Sequence, residues 1–155
     1  MYEKILVPLD GSSRAEKILP HVEQLAYVFK SKILLLQVIH PDPAFVGGHG
    51  FHALAYQEFI DTMMKEAENY LAGQEGVFRE KGISASSLIE IRPSVGTIVK
   101  VAEREKVDLI ALASHGHSGL ASVFYGSVAS GILNRVSKPL LMIRTVSVSI
   151  GLMGE

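Results

Sequence analysis

The sequence contains no cysteine. Disulfides and thiolate metal sites are therefore excluded, and the composition is compatible with a reducing compartment. It also lacks any run of the roughly 20 apolar residues that a membrane-spanning helix needs. The apolar stretch near its N-terminus is too short for a signal peptide. We therefore expect a cytoplasmic protein without membrane insertion.

An excess of positive charge is also missing. The 15 basic and 16 acidic residues give a formal net charge of −1, and the basic residues form no cluster. Nucleic acid is therefore not an expected partner. The chain has 155 residues, of which 48% are hydrophobic, a size and composition typical of one globular domain. We expect a single domain over residues 1–145 and a C-terminal tail over residues 146–155.

Short apolar runs alternate with segments of helical periodicity. This alternation predicts an α/β fold with a single doubly wound, five-stranded parallel sheet and helices on both faces. We expect the strand order 3-2-1-4-5. The predicted strands are residues 5–9, 32–39, 86–92, 107–113 and 140–144. The predicted helices are residues 13–30, 55–81, 94–105 and 128–136.

Two prolines modify these expectations. Pro8 lies in the first strand, where its missing N–H should interrupt pairing at the strand's end. Pro20 lies inside the first predicted helix and should kink it. The start of that helix matches a capping box formed by Ser13 and Glu16. The third strand is the most polar, and we expect it near an edge of the sheet.

A glycine-containing loop follows the fourth predicted strand. The strand runs into a loop over residues 114–119, and Gly126 and Ser127 open the next helix. Strand, glycine loop and helix N-terminus together form an arrangement that binds phosphate, because exposed N–H groups and the helix dipole attract an anion. The alternative is that these glycines serve only a turn and a close contact between helix and strand.

Asp10 follows the first predicted strand. In the order 3-2-1-4-5, the carboxyl ends of strands 1 and 4 flank the point where the order reverses, and ligands bind there in such sheets. Asp10 then lies beside the glycine loop, where it can accept hydrogen bonds from ribose hydroxyls or hold a divalent cation through water. Asp10 can instead be a turn residue or a helix cap.

Five of the six histidines lie in two predicted loops. Their spacing is not specific for a metal site, so we predict none. These residues are His40, His49, His52, His115 and His117.

Three blocks of the sequence resemble the universal stress protein family. They are KILVPLDGS at residues 4–12, KILLLQVIHP at residues 32–41 and ASHGHSGLASVFYGSVASGIL at residues 113–133. The resemblance extends from residue 1 to about residue 144. The nucleotide-binding branch of the family has the pattern G-x2-G-x9-G-[ST]. Its four fixed places are occupied here by Ala113, Gly116, Gly126 and Ser127, so three match and Ala113 departs.

The resemblance implies that ATP or another adenine nucleotide binds at the carboxyl edge of the sheet, with or without Mg²⁺ or Mn²⁺. By position, the phosphates and the nearby ribose would be held by Gly116, His117, Gly126, Ser127 and Val128. The adenosine would lie against Pro8, Leu9 and Asp10, and the backbone of Val38 would pair with the edge of the adenine. The resemblance also implies a stress-response regulator that acts through a protein partner not identified by the sequence.

Ala113 is the departure that could weaken this site. Alanine is unfavourable if the position needs a positive φ or a very close approach, and costs little if Ala113 is simply the last residue of its strand, which is the reading we favour. A protein of the same fold that binds no nucleotide is therefore one alternative.

No catalytic motif is present. The sequence has no Walker lysine motif, no G-x-S-x-G elbow and no G-x-G-x-x-G after a strand. We therefore expect nucleotide binding with little or no turnover. A weak metal-dependent nucleotide hydrolase that uses Asp10 remains the second alternative. The short apolar fifth strand and the resemblance together predict a homodimer through that strand.

Overall fold

The computed structural model describes residues 1–39, 53–91, 94–116 and 127–146. Five parallel strands form one sheet in the order β3-β2-β1-β4-β5. This order confirms the predicted fold class and places β3 and β5 at the two edges, as expected. The strands are β1 (Lys4–Leu9), β2 (Lys32–Ile39), β3 (Ala85–Ile91), β4 (Leu109–Gly116) and β5 (Leu140–Val146).

Helices cover both faces of the sheet. The elements between the strands are a 3₁₀ turn (Ala15–Ile18), α1 (Leu19–Phe29), α2 (Ala53–Glu80), α3 (Ser94–Arg104) and α4 (Ser127–Leu133). The 3₁₀ turn, α1 and α2 pack on one face, whereas α3 and α4 pack on the other. None of the described helices combines the length and the apolar character that crossing a bilayer requires.

Two apolar clusters form the core, one on each face. Successive side chains of a strand point to opposite faces, so Ile5 and Val7 join the first cluster while Leu6 joins the second. All three side chains are fully buried. A strand buried on both faces is nearly continuous in apolar residues, which is why the run ILVPL predicted a strand correctly.

The first helix differs from its prediction. It begins at Ala15 with Arg14 as its N-cap residue and no side-chain cap, so the predicted capping box of Ser13 and Glu16 does not form. Ser12 stabilises this start instead: the Ala15 N–H donates to Ser12 Oγ at 3.1 Å, and the Glu16 N–H donates to the Ser12 carbonyl at 3.2 Å.

The first turn is 3₁₀, and α1 starts at Leu19 with Pro20 in its first turn. Pro20 therefore lies in the first turn of α1, where its missing N–H costs no hydrogen bond. The predicted kink within one helix is wrong, because the 3₁₀ turn and α1 meet there as two elements.

The other bounds shift less, except at β4. This strand begins at Leu109 rather than residue 107 and continues to Gly116. Residues 114–116, predicted to begin the glycine loop, are paired with β5 from Ser114 to Gly116. The α4 helix begins at Ser127, as the Gly126-Ser127 signal indicated, but ends at Leu133 instead of residue 136.

Candidate functional site

The strand order reverses between β1 and β4, and the ladder between these two strands is short. Within the described residues, β1 pairs with β2 along its whole length, from Lys4 to Leu9. Its pairing with β4 covers only Ile5 and Leu6. Meanwhile β4 stays paired with β5 as far as Gly116. The hydrogen-bonded ladder between the two halves of the sheet therefore ends at Leu6, although Val7 and Ala111 still pack in the same core cluster.

Pro8 accounts for where this ladder ends. The Lys4 carbonyl accepts from the Asp108 N–H at 2.8 Å, whereas the Glu3 carbonyl accepts from the Lys32 N–H at 2.8 Å. Residues 4, 6 and 8 thus present their backbone groups toward β4, because the direction alternates along a parallel strand. Pro8 has no N–H to offer on that side. The predicted interruption of pairing is confirmed for β4, while the pairing with β2 continues.

Asp10 follows β1 and points its carboxylate at neighbours in its own loop. Asp10 Oδ1 accepts from the Ser12 N–H at 3.0 Å and from the Ser12 hydroxyl. Asp10 Oδ2 lies 3.0 Å from an Arg14 guanidinium nitrogen. Gly11 supports the turn with a φ of 79°, a conformation that glycine adopts without steric cost. The structure therefore gives Asp10 the turn role that was its alternative reading.

The electrostatics of Asp10 favour its charged form. Partial burial raises the pKa of this carboxyl, but the hydrogen bonds from Ser12 and the charge of Arg14 outweigh it and hold the pKa below its ordinary value. The side chain remains 54% exposed. Asp10 thus stays anionic and reachable, and its contact with a ligand remains a prediction.

A second polar cluster, formed by Glu16, Tyr70 and Gln74, interacts with the charge of Asp10. Glu16 Oε1 accepts from the Tyr70 hydroxyl at 3.0 Å and from the Gln74 amide at 3.4 Å. Partial burial, the hydrogen bond to Glu16 and the charges of Glu16 and Asp10 raise the pKa of Tyr70 far above its ordinary value. Tyr70 therefore stays a neutral donor, and it connects α2 to the loop that carries Asp10.

Ala113 lies in β4, on the other side of the switch point from Asp10. This residue is half-buried, packs with the first core cluster and pairs with Ile143. It is not the last residue of its strand, contrary to our expectation, because β4 continues for three more residues. The non-glycine residues with a positive φ in the described chain are Lys30 and Lys106. Ala113 therefore needs no glycine-like backbone, and the small cost of its methyl group to a bound ligand stays a prediction.

Two hydroxyls secure the carboxyl ends of β4 and β5. Thr145 Oγ1 donates to the Ser114 carbonyl at 2.9 Å, and Ser114 Oγ donates to the Ile143 carbonyl at 3.3 Å. Both side chains are buried. These bonds hold the carboxyl end of β4 against β5, on the side of β4 opposite β1.

The remaining predicted site residues divide into two groups. Leu9 and Val38 lie at the carboxyl ends of β1 and β2, but Leu9 packs in the first core cluster and Val38 against the second. The backbone N–H and C=O of Leu9 face β2, within the β1–β2 ladder. Val128 also packs against the second cluster, near the start of α4. His117 and Gly126 lie outside the described residues, as do His40, His49 and His52.

The structure thus brings Pro8, Leu9, Asp10, Val38 and the Ala113–Gly116 end of β4 to one edge of the sheet. Their binding of a ligand stays a prediction. Sequence reasoning missed Arg14 and Tyr70. Arg14 carried a usable signal, since a basic residue four positions after Asp10 can form an ion pair with it. Tyr70 is 54 residues from Glu16, and no local pattern reveals that contact.

Gln37 adds one unexplained polar atom near this edge. It is aligned with Leu9 in the β1–β2 register. Its Oε1 is buried and accepts no hydrogen bond within the part of the chain that the structure describes.

These features define a class: a doubly wound α/β protein, a fold in which ligands bind at the switch point of the sheet. The model of the universal stress protein family matches residues 1–144. The chain belongs to this family.

Known relatives agree with this assignment. The universal stress protein MJ0577 of Methanocaldococcus jannaschii is 28% identical over 155 aligned residues, which cover 93% of this chain and 96% of the relative. Its solved structure superposes with a TM-score of 0.80 and covers 95% of this chain and 99% of that one.

Two more distant structures share the fold and were solved with adenine nucleotides. The universal stress protein of Archaeoglobus fulgidus in complex with dAMP has a TM-score of 0.64 at 19% identity, covering 91% of this chain and 97% of that one. A universal stress protein in complex with cAMP has a TM-score of 0.60 at 17% identity, covering 94% and 98% of the two chains.

Proposed function

We propose that this protein binds an adenine nucleotide, ATP among the candidates, at the carboxyl edge of the sheet between β1 and β4 and acts as a stress-response regulator with little or no turnover. The observation that carries the proposal is the switch point of the strand order between β1 and β4, where the ladder ends at Leu6. Family membership supports it, as do the relatives solved with dAMP and cAMP.

In this proposal the backbone at the carboxyl ends of β1 and β2 receives the base. Leu9 and Val38 direct their side chains into the core. The backbone of Leu9 and the Val38 N–H belong to the β1–β2 ladder, so the Val38 carbonyl is the group we assign to the adenine edge. Gly116, His117, Gly126, Ser127 and Val128 hold the phosphates. Asp10 receives the ribose or a cation, with its carboxylate already charged.

Regulation rather than catalysis is the favoured use of this site. The block from Ala113 to Leu133 contains no lysine or arginine, and a fast phosphoryl transfer needs a cation placed to stabilise the transition state. Asp10 is engaged with Ser12 and Arg14 instead of being poised as a base. We propose that bound nucleotide changes the surface that a protein partner contacts.

A homodimer through β5 is part of the proposal. This strand lies at the edge of the sheet, and its apolar residues from Leu140 to Ile143 are only half-buried. An edge strand offers unpaired backbone groups to a second copy of the chain. Dimerisation would place the two sites on one assembly.

The test is to identify small molecules released when the purified protein is denatured, by mass spectrometry, and then to measure melting with added AMP or ATP. Ligand at 100 times its Kd stabilises the folded state by about 2.7 kcal/mol, which corresponds to roughly 5–10 °C for a chain of this length. An empty release together with an unchanged melting temperature at millimolar nucleotide, with and without magnesium or manganese, would overturn the proposal.

A further inference from the structure

A hydrogen-bonded cluster joins α2 to the 3₁₀ turn that follows Asp10. Glu16 Oε1 accepts from the Tyr70 hydroxyl at 3.0 Å and from the Gln74 amide at 3.4 Å. Tyr70 and Gln74 are four residues apart, so they lie on the same face of α2. Leu71, beside Tyr70 in the sequence, is fully buried in the first core cluster. The two donors therefore come from a part of α2 that is packed against the sheet.

This cluster connects elements that cover different halves of the sheet. The 3₁₀ turn contacts β1, β4 and β5, whereas α2 contacts β2 and β3. The hydrogen-bonded ladder between β1 and β4 ends at Leu6. Beyond that residue the halves are held by contacts within the covering layer and the core. The bonds to Glu16 belong to these contacts, because they tie the helix over one half to the turn over the other.

A chain of hydrogen bonds continues from Glu16 to Asp10. The Glu16 N–H donates to the Ser12 carbonyl at 3.2 Å. The Ser12 N–H and hydroxyl both donate to Asp10 Oδ1. Tyr70 is also near enough to Asp10 for the charge of this carboxylate to contribute to the raised pKa of Tyr70. The position of the Asp10 carboxylate therefore depends on a turn whose far end is held by α2.

We propose that Tyr70 is a positioning residue of the nucleotide site, which fixes the turn that carries Asp10 by donating to Glu16 and so couples occupancy of the site to α2. The inference rests on the proposed function and deepens it, because it names the element through which binding is regulated. Linkage is reciprocal: if the bond from Tyr70 to Glu16 favours bound nucleotide, bound nucleotide favours that bond equally. A partner that contacts α2 thereby senses the nucleotide.

Tyr70→Phe tests this role, with Tyr27→Phe as the matched control. Each substitution removes one hydroxyl and keeps the ring. The Tyr27 hydroxyl donates to the Lys81 carbonyl at 3.2 Å, between the end of α1 and the end of α2, where the chain returns to the start of β2 and of β3. This is the edge of the sheet opposite Asp10. Both variants lose a tyrosine hydrogen bond, but only Tyr70→Phe should affect the turn.

The first measurement is made without ligand. Amide hydrogen exchange by NMR follows the N–H groups of Ser12, Ala15 and Glu16, each of which donates within the turn. These amides should exchange about threefold or more faster in Tyr70→Phe, because a typical hydrogen bond changes the opening equilibrium by a factor of about 2–10. In Tyr27→Phe they should exchange as in the wild-type protein.

The second measurement is the calorimetric affinity for AMP, well below the melting temperature of every variant, where a loss of stability alone leaves the affinity unchanged. Tyr70→Phe should weaken binding about threefold or more, and Tyr27→Phe by less than about twofold. In Glu16→Ala, which lacks the acceptor, adding Tyr70→Phe should have no further effect. Glu16→Gln keeps a carbonyl acceptor and should retain most of the affinity.

The outcomes separate the two proposals. Unchanged exchange of the turn amides in Tyr70→Phe would overturn the positioning role, whatever the protein binds. Wild-type affinity for AMP in Tyr70→Phe would overturn the coupling while the proposed function stands. If the wild-type protein binds no AMP although the turn amides respond as expected, the proposed function fails, and the coupling to a nucleotide fails with it.

Discussion

At the scale of single residues, Asp10 shows how one side chain can serve the loop that presents it. Its carboxylate organises the turn through Ser12 and Arg14, and these bonds lower its pKa. A group whose pKa is lower in the folded state stabilises that state only while it is ionised. The contribution is thus fully present above the ordinary pKa of 3.8 and is lost as the pH falls through the lower folded value.

We therefore predict a pH-dependent effect of Asp10→Asn. At pH 7 it should lower the free energy of unfolding by about 0.5–1 kcal/mol, a modest amount because the carboxylate is half-exposed. The difference from wild type should shrink as the pH falls below about 3.8. Urea unfolding between pH 7 and 2.5 measures both effects. The control Glu80→Gln removes an exposed carboxylate. An Asp10→Asn difference that stays constant down to pH 2.5 would contradict the assignment.

Residue-scale prediction from sequence succeeded where the signal was local. Pro8 lies in an apolar run, and its missing donor follows from its chemistry alone, so the interrupted ladder could be foreseen. The direction of the interruption, toward β4 rather than β2, depends on which residues face which neighbour. The role of Ser12 was missed because only Ser13 has a glutamate three residues later, which is the capping-box pattern.

At the scale of elements, α3 and α4 lie so close together at Gly131 that this position has no room for a side chain. A Cβ added to Gly131 would lie 2.8 Å from both Cγ atoms of Val95. Valine has few χ1 alternatives in a helix, and both of its branches are too close. The two helices must move apart if position 131 carries a side chain.

Gly131→Ala is accordingly expected to destabilise the protein. Overpacking costs about 1–3 kcal/mol, and the gain in helix propensity of up to 1 kcal/mol offsets part of it. We predict a net loss of about 1 kcal/mol in urea unfolding. Gly76→Ala in α2 is the matched control, because its new Cβ would have no neighbour within 4 Å; it should stabilise by about 0.5–1 kcal/mol. Equal stabilisation by both substitutions would refute the predicted clash.

Element boundaries were predictable where apolar periodicity was strong. The bounds of β2 were predicted without error and those of α2 to within two residues. The end of β4 was missed because Ser114, His115 and Gly116 read as loop residues, yet they pair with β5. Hydrogen bonds from the buried hydroxyls of Ser114 and Thr145 stabilise that extension. The partners are 31 residues apart in one case, so a local sequence pattern cannot predict them.

At the scale of the whole molecule, the strand order was foreseen from the alternation of strands and helices together with the family resemblance. Among the described strands β5 is at the edge of the sheet, and its backbone orientation is defined. The Pro139 carbonyl accepts from the Ile110 N–H at 3.0 Å, so residues 139, 141, 143 and 145 face β4. Residues 140, 142 and 144 then present their N–H groups away from the sheet.

This orientation provides a test of the proposed dimer. Arg144→Pro removes an outward-facing donor from an exposed residue without removing a donor to β4, and proline is tolerated on edge strands. We expect it to raise the dimer dissociation constant about tenfold or more in sedimentation or light-scattering measurements. Arg144→Ala keeps the N–H and should remain dimeric. A monomeric wild-type protein, or an Arg144→Pro variant that dimerises as well as wild type, would argue against pairing through β5.

The missing donor of Pro8 has an energetic consequence of its own. Because residue 8 has no N–H, the β1–β4 ladder cannot form the hydrogen bond that would continue it beyond Leu6. This bond is absent before any ligand arrives, so a ligand at this edge does not have to break it. Association is spared that part of the free energy of rearranging the receptor.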